Sequence, residues 1–169
     1  MSEHHNSEKT LLFQELKFLH PETQLSSLHL VKKQASHEHC MLCGTQALLG
    51  LHLNFYSTGD QQVWARAKST IHQQGYQGIL HGGFLSALLD SGMCQALFHN
   101  NIEAVTADMN IRYLHEVPVK SDILIKGKIV SSRLPLYNLE GELYVNGKLM
   151  VKSSARFMKK GFGKKTTND

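Results

Sequence analysis

Three cysteines, Cys40, Cys43 and Cys94, are too few for a disulfide scaffold, and a chain of 169 residues buries enough apolar surface to fold without one. Reduced thiols are therefore expected. Charge of one sign is also scarce: 18 Lys and Arg stand against 14 Asp and Glu, a formal net charge of +4, and part of the excess is terminal, in Lys159, Lys160, Lys164 and Lys165. This argues against a duplex-binding surface, so no nucleic acid partner is expected, although a mildly basic face suits a phosphorylated small ligand. No apolar run approaches the roughly 20 residues of a membrane span. The polar start MSEHHNSEKT lacks the apolar segment of a signal peptide. The expectation is a cytoplasmic protein with no membrane partner. No internal repeat occurs, and neither does a Gly-x-Ser-x-Gly elbow or a Ser-His-Asp order. What is present, 41% hydrophobic and 19% charged residues, fits one compact domain.

Residues 8–19, EKTLLFQELKFL, place Leu11, Leu12, Leu16 and Leu19 at helical spacing, so a short amphipathic helix ending before Pro21 is predicted. Residues 21–47 show no sustained period and read as an irregular connector holding HEHCMLCG. LLGLHLNFYS and QQVWARAKS read as two strands, with Ser57-Thr58-Gly59-Asp60 as the turn between them. A glycine-rich loop, GYQGILHGG, leads into FLSALLDSGMCQALFHN, a helix apolar on nearly every side that must be buried on most of them. Four alternating segments follow, EAVTADMNIRYLHEV, SDILIKGKIVSSR, YNLEGELYV and KLMVKSSARFMKK, joined through Pro118-Val119-Lys120, Leu134-Pro135 and the hairpin signal Asn146-Gly147. A helix of that kind, preceded by two strands and followed by four, buries itself only if a mainly antiparallel sheet curls around it. The predicted class is α+β with hotdog topology, divided into a helix and Cys/His-containing extension (1–47), a hotdog domain (48–158) and a flexible basic tail (159–169).

The chemistry-bearing stretch is His81-Gly82-Gly83, with Asp90 two turns into the helix. Glycines at a buried helix N-terminus allow close approach to the backbone, and the unpaired first-turn N–H groups favour an anion or a developing oxyanion. The alternative role for these glycines is a tight turn and close packing. Asp90 interrupts FLSALL and GMCQALF, and a carboxylate among apolar side chains is costly unless paired, hydrated or functional; its structural alternative is a hydrogen bond to backbone, Ser86 or Ser91. Eight residues of helix separate Gly82 from Asp90 by about 12 Å at 1.5 Å per residue. One reacting carbonyl cannot touch both groups of one chain. Two such helices antiparallel across a two-fold axis would bring them together, which makes a homodimer a requirement of this reading.

GYQGILHGGFLSALLDSGM and AVTADMNIRYLHEVPVKSD resemble the phenylacetate-pathway (PaaI-type) branch of the hotdog acyl-CoA thioesterases over residues 48–158. HCMLCG followed by GLHLNF resembles a subset of these proteins with a Cys-x-x-Cys-Gly segment. The resemblance implies that the Gly82 N–H, with Gly83 beside it, polarises a thioester carbonyl. It implies that Asp90 of the opposing subunit acts as nucleophile or general base, and that Thr106 orients the attacking water. It further implies coenzyme A binding along Tyr113, Leu114 and His115 towards Pro118 and along Ser131, Ser132 and Arg133 towards Leu136, and association as a dimer or a dimer of dimers. Where some relatives carry Asn or Gln six residues before the motif histidine, this chain has Gly75, with Gln73 and Gln74 as candidates to hold the thioester. His81 suits a structural hydrogen bond that fixes the loop better than a catalytic base.

His37, His39, Cys40 and Cys43 are weak metal candidates, because thiolates and imidazoles at this spacing can chelate but a second pair is missing; a packed, reduced loop is the preferred reading. Cys94 reads as a small buried hydrophobe. The function these residues point to is hydrolysis of an acyl-CoA to free acid and coenzyme A without metal or redox cofactor. A hotdog dehydratase or hydratase and a non-catalytic acyl-CoA-binding protein are the alternatives.

Overall fold

A computed structural model describes residues 2–59 and 61–161. Asp60 of the expected turn, and Lys164 and Lys165 of the expected tail, lie outside the described residues. The elements run α1 (Ser2–Leu19), β1 (His29–Leu30), β2 (Phe55–Ser57), β3 (Gln62–Lys68), α2 (Gly82–His99), β4 (Ala104–Tyr113), β5 (Asp122–Arg133), β6 (Leu136–Val145) and β7 (Lys148–Lys159). The strands form one antiparallel sheet in the order β1-β2-β3-β5-β6-β7-β4. This is the expected hotdog arrangement.

Helix α2 lies against one face of this sheet because Leu85, Leu88, Leu89, Met93, Ala96 and Leu97 are all buried, against Ile123, Ile125, Leu139 and Phe157 of the strands among others. Its closest approach is backbone to backbone. A Cβ on Gly127 of β5 would lie 2.0 Å from the Gly92 carbonyl oxygen, and one on Gly92 would lie 2.9 Å from Ile125 Cγ2. Gly127→Ala must therefore push helix and sheet apart. A loss of about 3 kcal/mol of unfolding free energy in urea is expected, as overpacking against rigid backbone costs; a loss below about 0.5 kcal/mol, the level of an ordinary surface substitution, would contradict that contact.

Part of the opposite face, over β2, β3 and β5, is covered by α1. Leu12 and Leu16 pack with Leu28, Tyr56, Trp64 and Leu124, and the helix is tied down by Glu15 to Arg66 at 2.7 Å and Glu8 to Asn54 at 2.7 Å. Its boundaries differ from the prediction: it begins at Ser2 rather than residue 8, and Leu11, expected on the apolar stripe, is 41% exposed. The first predicted strand is also much shorter. Only Phe55–Ser57 are extended in the sheet, because Leu51 and Leu53 donate their N–H groups to Met41 and Leu42 of the connector, at 3.0 and 2.8 Å, instead of to a strand. His52 between them takes a positive φ of 52°, and Leu48 and Leu49 are left exposed. The connector is not wholly irregular either, since His29–Leu30 form an edge strand on β2, and Val31, Leu42 and Cys43 enter the main core.

The Asn146-Gly147 turn closes β6 and β7 with φ of 50° and 73°, the left-handed pair that a two-residue hairpin demands. At the far edge, β4 carries a bulge between Thr106 and Asp108. Thr106 pairs with buried Phe157, whereas Asp108 pairs with exposed Arg156. In a strand without the bulge, with Ala107 paired in register, the two side chains would share a face. With it, Thr106 turns towards α2 and Asp108 turns outward to its ion pair with Arg156.

Candidate functional site

The N-terminus of α2 is built by a loop that folds back on itself. Thr70 caps the short 3-10 turn Ile71–Gln73, and the Gln73 side-chain oxygen accepts from the Thr70 N–H at 2.7 Å and from its hydroxyl at 2.8 Å. The Gln73 carbonyl then accepts from the His81 N–H at 2.8 Å, and Leu80 donates to Val117 at 2.8 Å. His81 is thus held from both sides as the cap of α2. Its Nδ1 accepts from the Gly83 N–H at 2.9 Å, which places the ring hydrogen of the neutral imidazole on Nε2. This is the structural bond expected of His81.

That cap explains the two glycines separately. A Cβ at position 83 would sit 3.0 Å from His81 Nδ1 and displace the cap. The Phe84 and Leu85 N–H groups donate to the His81 carbonyl at 3.0 and 3.2 Å. Among the described residues, Gly82 N–H is the first-turn donor left without an acceptor. A single backbone donor at the positive end of an 18-residue helix is suited to an oxyanion.

Tyr113 and Ser86 brace this end of the helix. The Tyr113 hydroxyl lies 3.0 Å from the Gly82 carbonyl oxygen and 2.7 Å from Ser86 Oγ, which itself lies 2.9 Å from the same carbonyl. Two hydroxyl hydrogens serve these three contacts. Ser86 was weighed in the sequence only as a partner for Asp90; its place four residues after Gly82, where a helical hydroxyl reaches back to a carbonyl, was the available signal.

Asp90 is half-buried, and its Oδ1 accepts from Thr106 Oγ1 at 2.6 Å. The sequence alternatives, Ser86 and Ser91, are not its partners. The structure brings together His81, Gly82, Gly83 and Tyr113 at one end of α2, and Asp90 with Thr106 in the middle, as two groups rather than one. Near Asp90, burial, reinforced by the carboxylate, pushes the Cys94 thiol up to about 12, so it stays a neutral thiol in the core.

Of the remaining candidates, Gln74 accepts from the Gly78 N–H at 2.8 Å through its side-chain oxygen. The oxygens of Gln73 and Gln74 are therefore both engaged in shaping the loop. Gly75 backs directly onto the motif histidine, where a Cβ would lie 3.1 Å from His81 Cα, so a larger residue would press on the cap. Leu114 and His115 donate their backbone N–H groups to Met150 at 2.9 and 3.1 Å, and their side chains are exposed. Ser131 accepts from Asn138 at 2.9 Å, while Ser132 and Arg133 are exposed at the end of β5. Leu114 and His115 follow directly on Tyr113 of the first group, whereas Ser131, Ser132 and Arg133 make no side-chain hydrogen bond to either group among the described residues. His39 is exposed and lies 3.4 Å from Glu38, turned away from His37, Cys40 and Cys43, whose ligand atoms lie within 4.8 Å of one another.

The sequence profile of the Thioesterase superfamily matches residues 77–133, the stretch that contains both groups on α2 and its neighbouring strands. Acyl-coenzyme A thioesterase THEM4 of Rattus norvegicus is 29% identical over 77 residues, covering 44% of this chain and 32% of that protein. The chain thus spans about a third of that curated relative. Among solved structures, protein RHA08564, a thioesterase superfamily protein, superposes with a TM-score of 0.68 at 24% identity over 72% of this chain and 63% of that one. A hypothetical thioesterase of Streptococcus pneumoniae TIGR4, crystallised with coenzyme A, gives a TM-score of 0.61 at 21% identity over 64% of this chain and 89% of that one. At these identities the likeness establishes the shared fold.

Proposed function

We propose that the protein is an acyl-CoA thioesterase of the PaaI-type branch, cleaving an acyl or aromatic acyl-CoA to free acid and coenzyme A at a site shared between two chains. The observation that carries this reading is the pair of half-sites on α2: an unpaired Gly82 N–H at its start and an Asp90–Thr106 hydrogen bond in its middle. The Gly82 N–H would donate to the thioester oxygen as it gains charge. Asp90 of the opposing chain would attack the carbonyl or take a proton from water, with Thr106 holding that carboxylate and water in line. His81, its Nδ1 already spent on Gly83, fixes the donor and is not well disposed to the proton transfer of a hydratase.

The exposed edge of β4 supports a homodimer, with a dimer of dimers as a further step. Val105 and Tyr113 are 56% and 51% exposed on a ten-residue strand whose outer row of N–H and C=O groups has no partner among the described residues. Such an edge is a template for pairing with another chain. Pairing there would set the partner's α2 alongside this one, at the strand that carries Thr106. The coenzyme would follow Tyr113–Pro118 and Ser131–Leu136, where Arg133 is free to meet a phosphate, and no metal or redox cofactor enters the step.

The test is free thiol release from a panel of aromatic, short-chain and long-chain acyl-CoAs, with enoyl-CoA hydration run beside it. Turnover of some acyl-CoA without hydration supports the proposal; hydration alone, or tight binding with no thiol released, would replace it with the hydratase or the binding protein. Thr106→Val is expected to lower kcat about 10- to 100-fold, the worth of a hydrogen bond to a charged group, whereas Thr106→Ser stays near wild type. Equal losses in both variants would remove the hydroxyl from the mechanism.

A further inference from the structure

The connector ahead of the hotdog core holds a cluster that the thioesterase chemistry does not use. His37 Nδ1, Cys40 Sγ and Cys43 Sγ converge within 4.8 Å, and the His37–Cys43 pair lies at 3.9 Å. The segment lies outside the stretch matched by the thioesterase profile, residues 77–133.

Three features set this cluster apart from a chance meeting of polar side chains. The backbone is wound tightly around the sulfurs: Cys40 donates to His37 at 3.0 Å, Gly44 donates to Cys40 at 2.9 Å, and a Cβ on Gly44 would lie 2.5 Å from the Glu38 carbonyl oxygen. The Leu42 N–H points at Cys40 Sγ at 3.5 Å, and the Gln95 amide donates to Cys43 Sγ at 3.2 Å, so each sulfur is held in place by a hydrogen-bond donor. Finally, the His37 ring is fixed edge-on against Phe98 with centroids 4.6 Å apart. Gln95 and Phe98 both belong to α2, so the helix orients two of the three groups.

We propose that His37, Cys40 and Cys43 bind one zinc ion per chain, which staples the connector to α2. Two sulfurs and one imidazole nitrogen are the donor set zinc prefers. In a tetrahedral site, Zn–S near 2.3 Å and Zn–N near 2.1 Å put sulfur and nitrogen about 3.6 Å apart, a few tenths of an ångström from the 3.9 Å of the His37–Cys43 pair. Binding displaces the protons of two thiols, and the ion with its two thiolates carries no net charge, which suits the buried Cys43 and the nearby Lys33. His37 and Cys43 line a cleft with Lys33, Glu38 and Thr45, through which a water would reach the fourth position. The second Cys pair whose absence weakened the sequence signal is replaced in part by His37, three residues before Cys40.

The test uses the 169-residue chain, reduced, stripped with chelator and incubated with micromolar zinc or cobalt. One equivalent of zinc per chain is expected after desalting, with a thiolate-to-metal charge-transfer band and strong visible bands in the cobalt form. Cys40→Ser and the half-buried His37→Gln should each bring retained zinc below about a tenth of an equivalent, while Cys94→Ser keeps it. Chelation should lower the thermal midpoint by about 5 °C or more, as loss of a ligand bound only by the folded state does. Less than a tenth of an equivalent in the reduced wild-type chain would overturn the proposal, as would full retention in Cys40→Ser and His37→Gln, or a cobalt spectrum without the thiolate band.

Discussion

Asp90→Asn is expected to reduce acyl-CoA turnover about 1,000-fold, within the range that general-base or nucleophilic groups contribute, with little change in the thermal midpoint. Asn is isosteric and can still accept from Thr106, so the hydrogen bond at 2.6 Å need not be lost. It can neither attack the thioester nor remove a proton from water. Because Asp90 is only half-buried and makes no ion pair among the described residues, its stability role is small beside its chemical one. A variant that keeps a tenth or more of wild-type kcat would leave Asp90 as a helix carboxylate tied to Thr106 and nothing else. Thermal unfolding and sedimentation of the same preparations separate that outcome from misfolding.

Gly82→Pro is expected to cost about 100- to 1,000-fold in kcat, the loss seen when one oxyanion donor is removed, and to leave the helix in place. Proline is tolerated at the first helical position because the N–H it lacks has no helical acceptor there. His81, with φ of −64° and ψ of 131°, already has the extended backbone that a residue before proline adopts. Gly82→Ala is the control. Its Cβ meets the Tyr113 hydroxyl at the same 3.3 Å, yet it keeps the N–H. Whatever the two variants share belongs to crowding against Tyr113, and their difference belongs to the donor. Equal activity in the proline and alanine variants would take the oxyanion role away from Gly82.

The central elements were legible because their periods are strong. Alternation in β4 to β7 located the strands within a few residues, and the all-round apolar character of α2 required a sheet to receive it. The half-sites were legible less evenly. Asp90 stood out as a carboxylate in an apolar run, and His81-Gly82-Gly83 as a capped glycine turn. Thr106 entered only through resemblance, because strict alternation puts it on the same face as Asp108, and only the bulge at Ala107 turns it towards Asp90. Residues 48–54 were misread as strand because apolar alternation there serves a different partner: Leu53 is buried, but its backbone is bonded to the Cys-x-x-Cys loop. The joining of His37 to that loop was also hidden, since its ring is fixed by Phe98, 61 positions away in the chain.

The decisive measurement is activity of mixed dimers formed by co-refolding Asp90→Asn chains with Gly82→Pro chains in equal amounts. If each site takes its donor from one chain and its carboxylate from the other, a mixed dimer has one intact site and one doubly altered site. Random pairing makes half the dimers mixed, so about a quarter of wild-type activity should return although neither parent is active alone. If mixed dimers form, as mass spectrometry of the assembled species would show, and activity stays at the level of the parents, then Gly82 and Asp90 do not meet across an interface.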